Sequence, residues 1–165
     1  DVYALRREGA LEAAEKSECG VCLMHMQGEP RTMQKNPVYN DLMAEVKSFL
    51  AERAQALRDL GVPAERIVLD PGFGFGKTVS QNFELLAKTE DFLSLGYPLL
   101  YGMSRKSSLG AVTGVAKAEE RLISSVTAHL LAVERGASIV RVHDVKQMKE
   151  ALTVYNAMIH YKDLK

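Results

Sequence analysis

Asp70, Lys106, Arg141 and His143 are residues whose types and positions could do chemistry, because each lies at or just after the end of an apolar segment. A carboxylate at such a position is costly to bury unless it meets hydrogen-bond donors, and it can accept two parallel bonds from the N–H edge of an aminopyrimidinone. Cations and an imidazole on one rim can receive a phosphate or pyrophosphate. These residues therefore predict a site for a small planar ligand that carries an anionic group.

Each of these residues also has a simpler interpretation. Asp70 could be a structural aspartate that caps backbone amides, the loop around Lys106 could be a solvated charged loop, and His143 could be structural. The alternation of side chains along a strand favours the functional interpretation, because it puts Arg141 and His143 on the same face.

The stretch IVLDPGFGFGKT, at 67–78, suggests a phosphate loop. In the nucleotide-binding pattern G-x-x-x-x-G-K-[ST] the first glycine would fall on Pro71, which has no N–H to donate. The three glycines, spaced two and two, also fail the G-x-G-x-x-G pattern. The sequence instead predicts a buried strand that ends at Asp70, followed by a turn that brings Phe73 and Phe75 beside the carboxylate.

Two further segments carry groups suited to such a ligand. In MHMQGEP, Met24 and Met26 flank an imidazole, and a thioether is a polarisable wall for a flat heterocycle. The alternative is that both methionines merely fill space.

In YGMSRKSSLG, at 101–110, two adjacent cations and their flanking serines follow a strand and lead into a helix, an arrangement that binds anions. There, Lys106 adds a charged donor that can point into a pocket.

Short apolar segments alternate with amphipathic stretches along the chain. The apolar segments, predicted as strands, are 21–25, 66–70, 98–102 and 139–143. The amphipathic stretches have apolar residues at three- and four-residue spacing and are predicted as helices at 38–60, 80–95, 117–135 and 144–160. Ser80 and Asp144 are the predicted N-caps. The alternation indicates an α/β fold, a parallel sheet covered by helices.

The chemistry-bearing residues gather at the carboxyl ends of the predicted strands, where ligands bind in barrels and in open parallel sheets alike. Strand–helix repeats of this size suit a TIM (β/α)8 barrel, whose usual length is about 250 residues. Because four strands alone would leave two edges unpaired, residues 1–165 are predicted to form the C-terminal half of one such domain, about its last four β/α units. A self-contained doubly wound sheet is the alternative.

The composition gives no sign of a nucleic-acid or membrane partner. Lys and Arg together number 21, as do Asp and Glu, so the charge favours neither a nucleic acid nor an anionic membrane as partner. No apolar run approaches the roughly 20 residues of a transmembrane helix. Cys19 and Cys22, in CGVC, have the spacing of a redox or metal pair. Without a second pair, a reduced, cytoplasmic protein is the simpler interpretation.

The motifs CLMHMQGEPRTMQ, LDPGFGFGK, GMSRKSSLG and RVHDV, in this order, resemble the dihydropteroate synthase family of the folate pathway. The similarity runs through essentially the whole chain. It implies a pterin-binding TIM-barrel enzyme that condenses 6-hydroxymethyl-7,8-dihydropterin pyrophosphate with p-aminobenzoate. The implied products are 7,8-dihydropteroate and pyrophosphate.

The resemblance also implies roles for individual residues at each part of the site. Residues that bind the pterin are implied to be Met24, Asp70, Lys106 and Arg141. Those at p-aminobenzoate are Phe75 and Ser107, and those at pyrophosphate are Arg141 and His143. The implied catalytic residues are Lys106, Arg141 and His143.

Members of this family commonly hold a magnesium ion with the pyrophosphate and pair as homodimers, so both are expected here. No magnesium ligand is assignable in this sequence. Two other functions remain open, a non-catalytic pterin-binding fragment and the pterin-binding barrel of a methyltransferase. A methyltransferase would share Asp70 but would hold no pyrophosphate for the SRKSSLG and RVHDV segments to bind.

Overall fold

The computed structural model describes residues 1–164, which include a wall of parallel strands. The strands are β1 (Val21–Met24), β2 (Ile67–Asp70), β3 (Leu100–Tyr101) and β4 (Ile139–Val140). β1 pairs with β2 and β3 pairs with β4, and a parallel bridge between Leu69 and Leu99 joins the two pairs. The strands therefore lie in the order of the chain. A doubly wound sheet reverses that order at a switch point, so the observed order favours the wall of a barrel.

Helices precede the first strand and follow every strand. They are α1 (Ala10–Lys16), α2 (Leu42–Asp59), α3 (Val79–Ala87), α4 (Ser107–Thr113), α5 (Leu122–Glu134) and α6 (Val145–Ile159). Two predicted helices are shorter than expected, since 3-10 turns occupy Thr89–Leu95 after α3 and Ala118–Glu120 before α5. Among the described residues, no helix combines the length and apolar character needed to cross a membrane.

The strand side chains that face the helices form the main apolar core. Leu23, Ile67 and Leu69 are fully buried there and pack with the apolar face of α2. Because successive side chains of a strand point to opposite faces, Met24 and Asp70 lie on the other face, and the register pairs these two residues. The pairing places a thioether beside the carboxylate at the carboxyl end of β1 and β2.

A second apolar cluster lies between β3 and the helices α3, α4 and α5. Its largest fully buried residue, Tyr101, donates its hydroxyl to the carbonyl of Leu85 in α3 at 3.0 Å. Met103, also fully buried, is the second residue after β3. The cluster therefore fixes the start of the loop that carries Lys106.

The structure corrects one predicted N-cap and confirms the position of the other. The cap of α3 is Thr78 and not Ser80: the Thr78 hydroxyl accepts the N–H of Gln81 at 3.2 Å, and the Gln81 side chain accepts the N–H of Thr78 at 2.8 Å. This reciprocal pair is a capping box. Asp144 occupies the cap position of α6 but makes no capping bond, because its carboxylate pairs with Arg105.

The capping box leads to a first prediction for stability. Thr78→Ala is expected to lower the free energy of unfolding by about 1 kcal/mol, because it leaves an N–H at the start of α3 without its partner. Ser80→Ala is the matched control, and its effect should stay within about 0.5 kcal/mol. Urea unfolding of both variants measures the difference. Equal losses would show that Thr78 is not the cap.

Candidate active site

Asp70, the last residue of β2, is a carboxylate that is only 7% exposed. Its Oδ1 accepts the N–H of Gly72 at 2.8 Å. Burial raises the pKa of Asp70, while the Gly72 bond and the charges of Lys106 and Lys77 favour the ionised form. Among residues 1–164, no donor reaches the second carboxylate oxygen, which leaves an acceptor for a ligand.

The turn after β2 depends on glycine at position 72. Gly72 has a φ of +74°, and a Cβ there would lie 1.8 Å from the carbonyl oxygen of His25. Asn82 of α3 then anchors the loop: its Oδ1 accepts the N–H of Gly74 at 2.6 Å, and its Nδ2 donates to Ser108 of α4 at 2.9 Å. These contacts fix the loop after β2 relative to β1, α3 and α4.

Lys77 is a residue of interest that the sequence interpretation missed. It is 3% exposed, and its Nζ lies 3.0 Å from His25 Nδ1, 2.9 Å from the Gly72 carbonyl and 3.1 Å from the Phe75 carbonyl. These three acceptors match the three donors of an ammonium group. Lys77 therefore ties the end of β1 to the loop that carries Phe75. The only sequence signal is its place at the end of a glycine-rich turn.

The Lys77–His25 contact lies in a strongly desolvated environment. Burial and the charge of Lys77 lower the pKa of His25 to about 3. Burial also lowers the pKa of Lys77 to about 7, although the charge of Asp70 raises it. His25 is therefore neutral at physiological pH, and its Nδ1 acts as the acceptor for the lysine.

The lowered pKa of Lys77 gives a prediction for the pH dependence of stability. Between the folded value of about 7 and the unfolded value near 10.5, the unfolded chain binds a proton that the folded chain does not. The free energy of unfolding should therefore rise with pH in this window, with a slope approaching about 1.4 kcal/mol per pH unit. Lys77→Met should lack this component.

Urea unfolding of both proteins from pH 7 to pH 10 measures that component. Lys146→Met, at an exposed position in α6, is the control for changes common to any lysine substitution. Identical slopes in the wild type and in Lys77→Met would contradict the assignment of this titration to Lys77.

Lys106 is close enough to Asp70 and Arg141 for the charges of both to affect its pKa. Its Nζ donates to the carbonyl of Phe73 and lies 3.9 Å from the ring centroid of Phe75, a cation–π contact. Burial lowers the pKa of Lys106 to about 8, the charge of Asp70 raises it, and the charge of Arg141 lowers it. The ammonium group is thus within the electrostatic influence of both Asp70 and Arg141.

The loops after β3 and β4 enclose a cleft of about 140 Å³. Its lining residues are Gly102, Ser104, Lys106, Arg141, Val142 and His143. The backbone N–H of Arg141 donates to the carbonyl of Tyr101 at 2.9 Å and so extends the pairing beyond β4. The structure therefore brings Lys106, Arg141 and His143 together in one cleft.

The two adjacent cations after β3 take different directions. Arg105 has a φ of +60° and makes a bidentate pair with Asp144, at 2.7 and 3.2 Å. Its backbone N–H donates to Ser125 at 2.8 Å, and its carbonyl accepts from Arg121 at 2.9 Å. These bonds hold a backbone conformation that is uncommon for a residue with a Cβ. Lys106, not Arg105, lines the cleft.

The remaining predicted residues lie around this centre. Met24 is buried beside Asp70, Phe75 is half-buried under the Lys106 ammonium, and Ser107 is exposed as the first residue of α4. Met26 is buried as well.

No metal site is formed by the described part of the chain. Within residues 1–164, no three His, Cys, Asp or Glu side chains gather as metal ligands. Cys19 and Cys22 are both free thiols, the first exposed and the second half-buried. These residues therefore do not fit a magnesium ion by themselves, and no step of the chemistry is assigned to one.

Comparison with known proteins gives a family match and close relatives. Residues 1–143 match the family model of pterin binding enzymes. The dihydropteroate synthase of Escherichia coli (strain K12) is 46% identical over 165 residues, an alignment that covers 100% of this chain and 58% of that protein. The chain thus spans a little over half the length of this curated relative.

Solved structures show the same relationship. A crystal structure of dihydropteroate synthase from Stenotrophomonas maltophilia with active site-bound imidazole has a TM-score of 0.95 and 51% identity, over 97% of this chain and 60% of that one. Dihydropteroate synthase from Xanthomonas albilineans in complex with 7,8-dihydropteroate has a TM-score of 0.90 and 46% identity, over 97% and 60% of the two chains. The predicted fold class is confirmed: the chain forms part of a TIM barrel.

Proposed function

The chain belongs to the family of pterin binding enzymes, and we propose that the full-length protein acts as a dihydropteroate synthase in folate biosynthesis. It condenses 6-hydroxymethyl-7,8-dihydropterin pyrophosphate with p-aminobenzoate. The observation that carries this proposal is the position of Lys106, which lines the cleft of Arg141 and His143 and is also influenced by the charge of Asp70. One cation thus links an acceptor for the pterin to a cleft for an anion, as a pterin pyrophosphate requires.

Asp70 supplies the acceptor for the pterin. Its free carboxylate oxygen accepts from the amino and ring N–H groups of the aminopyrimidinone, and charge-assisted bonds of this kind are short and strong. Met24, which is paired with Asp70 in the sheet, lies beside the flat heterocycle. Lys106 donates to the other polar edge of the pterin, and the guanidinium of Arg141 packs on the ring.

The reaction is a displacement at the methylene carbon of the pterin. The bond between this carbon and the pyrophosphate oxygen breaks, the amine nitrogen of p-aminobenzoate bonds to the carbon, and the nitrogen then loses a proton. The electron-rich pterin can support cleavage before attack, because it stabilises a methylene cation. Arg141 and His143 receive the charge that develops on the leaving pyrophosphate.

The nucleophile needs little help from the protein. The aniline nitrogen is neutral and weakly basic, so the reaction requires no strong general base, and no covalent intermediate on a serine or cysteine is needed. Phe75 and Ser107 contact p-aminobenzoate, the first through its ring and the second through its exposed hydroxyl. Both lie next to Lys106, so the amine can approach the methylene group at the pterin.

Incorporation of labelled p-aminobenzoate by the full-length protein tests the proposed function. We expect 7,8-dihydropteroate to form with the pyrophosphate ester of the pterin and not with the free hydroxymethyl pterin, which is the matched control substrate. Methyl transfer from a methylated tetrahydropterin, without dihydropteroate formation, would instead identify a methyltransferase. Pterin binding without either product would identify a non-catalytic protein.

We further propose that the protein is a homodimer that pairs through the apolar surface of α3, α4 and α5. A groove of about 430 Å³ lies there, and its wall includes Ile123, which is 81% exposed, and Leu131, which is 38% exposed. Burial of such a patch against a second copy removes apolar surface from water.

Ile123→Glu is expected to raise the dimer dissociation constant by about tenfold or more, because it places a charge in the apolar contact. Sedimentation velocity over a concentration series measures the change. Leu60→Glu, at an exposed position at the end of α2, is the control and should leave the dimer intact. A monomeric wild type, or equal effects of the two variants, would contradict this surface.

Two further expectations follow from the proposed reaction. A magnesium ion would bind together with the pyrophosphate and would offset its charge, as is usual for this ion at phosphates. The protein acts in the cytoplasm, where free thiols such as Cys19 and Cys22 stay reduced.

A further inference from the structure

Side chains in the loops after β3 and β4 pair with the same residue offset as the strands themselves. The pairs Ser104–His143 and Arg105–Asp144 are each separated by 39 residues, the same separation that relates the paired residues of β3 and β4. The contact between the two segments therefore extends beyond the strands. It fixes the imidazole of His143 relative to β3.

The donors and acceptors of the first pair determine the state of the imidazole. Ser104 is 8% exposed, and its Oγ accepts the backbone N–H of His143 at 3.2 Å and lies 2.9 Å from His143 Nδ1. A serine hydroxyl has one hydrogen to donate. Among residues 1–164, His143 Nδ1 is the only acceptor within reach of that hydrogen. A hydroxyl that donates to Nδ1 requires the hydrogen of a neutral imidazole to be on Nε2.

The Arg105–Asp144 pair keeps the Asp144 carboxylate away from the imidazole of His143. A carboxylate at Nδ1 would select the opposite tautomer, with the hydrogen on Nδ1. Asp144 is the carboxylate next to His143, but Arg105 binds both of its oxygens, at 2.7 and 3.2 Å. Arg105 thus holds the carboxylate and leaves the hydroxyl of Ser104 as the partner of the imidazole.

We propose that Ser104 is a positioning residue that selects the tautomer of His143 with its hydrogen on Nε2, so that Nε2–H donates into the cleft shared with Lys106 and Arg141. Its consequence for the reaction rests on the proposed function, since the acceptor is the departing pyrophosphate. The opposite tautomer would present a lone pair to the phosphate oxygens, and repulsion would replace a hydrogen bond. Ser104 lines the cleft as well, but in this arrangement its hydroxyl bonds to His143 and acts through the imidazole.

The tautomer is measured directly by long-range proton–nitrogen NMR spectra of the full-length protein labelled at histidine. His143→Gln identifies the signal of His143 by its loss. We expect the Nε2–H form in the unmutated protein, retention of that form in Ser104→Thr, and a mixture of tautomers in Ser104→Ala. The Nδ1–H form in the unmutated protein would overturn the proposal, whatever the variants do. This measurement needs no turnover, so its result does not depend on whether the proposed function is correct.

Single-turnover kinetics of the pyrophosphate substrate test the effect on the reaction. Ser104→Ala should lower the rate constant by about tenfold, the effect of one hydrogen bond, and Ser104→Thr should restore it to within about threefold. Ser124→Ala removes a serine hydroxyl of α5 whose bond is local, to the carbonyl of Arg121 at 3.2 Å, and should leave the rate unchanged.

A double-mutant cycle distinguishes positioning from a general structural effect. The glutamine of His143→Gln offers an amide donor near the position of Nε2 and has no tautomer to select. In that background, Ser104→Ala should therefore have no further effect. The same loss in both backgrounds would show that Ser104 acts by another route. If the protein forms no dihydropteroate, the same cycle is read from the dissociation constant of inorganic pyrophosphate.

Discussion

Asp70→Asn in the full-length protein is expected to weaken pterin binding by about 30- to 1000-fold, the loss of two charge-assisted hydrogen bonds. The new amide can keep its Oδ1 bond to the Gly72 N–H, which is 2.8 Å long in the wild type, so the turn after β2 stays in place. Its Nδ2 would point a donor at the N–H groups of the pterin. Calorimetric titration with the pterin substrate measures the change.

The folding stability of this variant should not fall, because burial raises the pKa of Asp70 and so already disfavours its charged form. A normal urea midpoint combined with weak binding would therefore assign the effect to recognition. Asp91→Asn, an exposed aspartate in the 3-10 turn after α3, is the matched control. Pterin affinity of Asp70→Asn within about threefold of the wild type would exclude the proposed role.

Arg141→Ala is expected to lower the rate constant of the chemical step by about 10²-fold or more, the loss of one well-placed electrostatic donor. The guanidinium lines the cleft with Lys106 and His143, where the charge of the leaving pyrophosphate develops. Its interaction is thus stronger in the transition state than in the ground state. Single-turnover measurements at saturating pterin pyrophosphate isolate this step from binding.

Two companion variants of Arg141→Ala separate charge from packing. Arg141→Lys keeps the charge and loses the planar group, so it should recover part of the rate if charge stabilisation dominates. Arg135→Ala, at the end of α5 and outside the cleft, should leave the rate unchanged. An unchanged rate in Arg141→Ala, with only a higher dissociation constant for the pterin, would make the residue a stacking platform and refute its leaving-group role.

The sequence alone predicted the alternation of strands and helices and the place of Asp70 at the end of a strand. Apolar runs and three- to four-residue spacing are local patterns, so strands and helices can be predicted from them without knowledge of distant contacts. The same locality limits the prediction of boundaries. Thr78 and Ser80 are both acceptable N-caps by type, and only the reciprocal bonds with Gln81 select Thr78.

The tertiary structure decided which polar groups meet. Buried Lys77 contacts His25, which is 52 residues away in the chain. Ser104 contacts His143, which is 39 residues away. No periodicity in the chain encodes such pairs, since they depend on the register of neighbouring strands and on the direction in which each loop leaves its strand. Asp144 shows the consequence: its type and position predict a helix cap, but the conformation of Arg105 brings a guanidinium to it, and a bidentate ion pair replaces the capping bond.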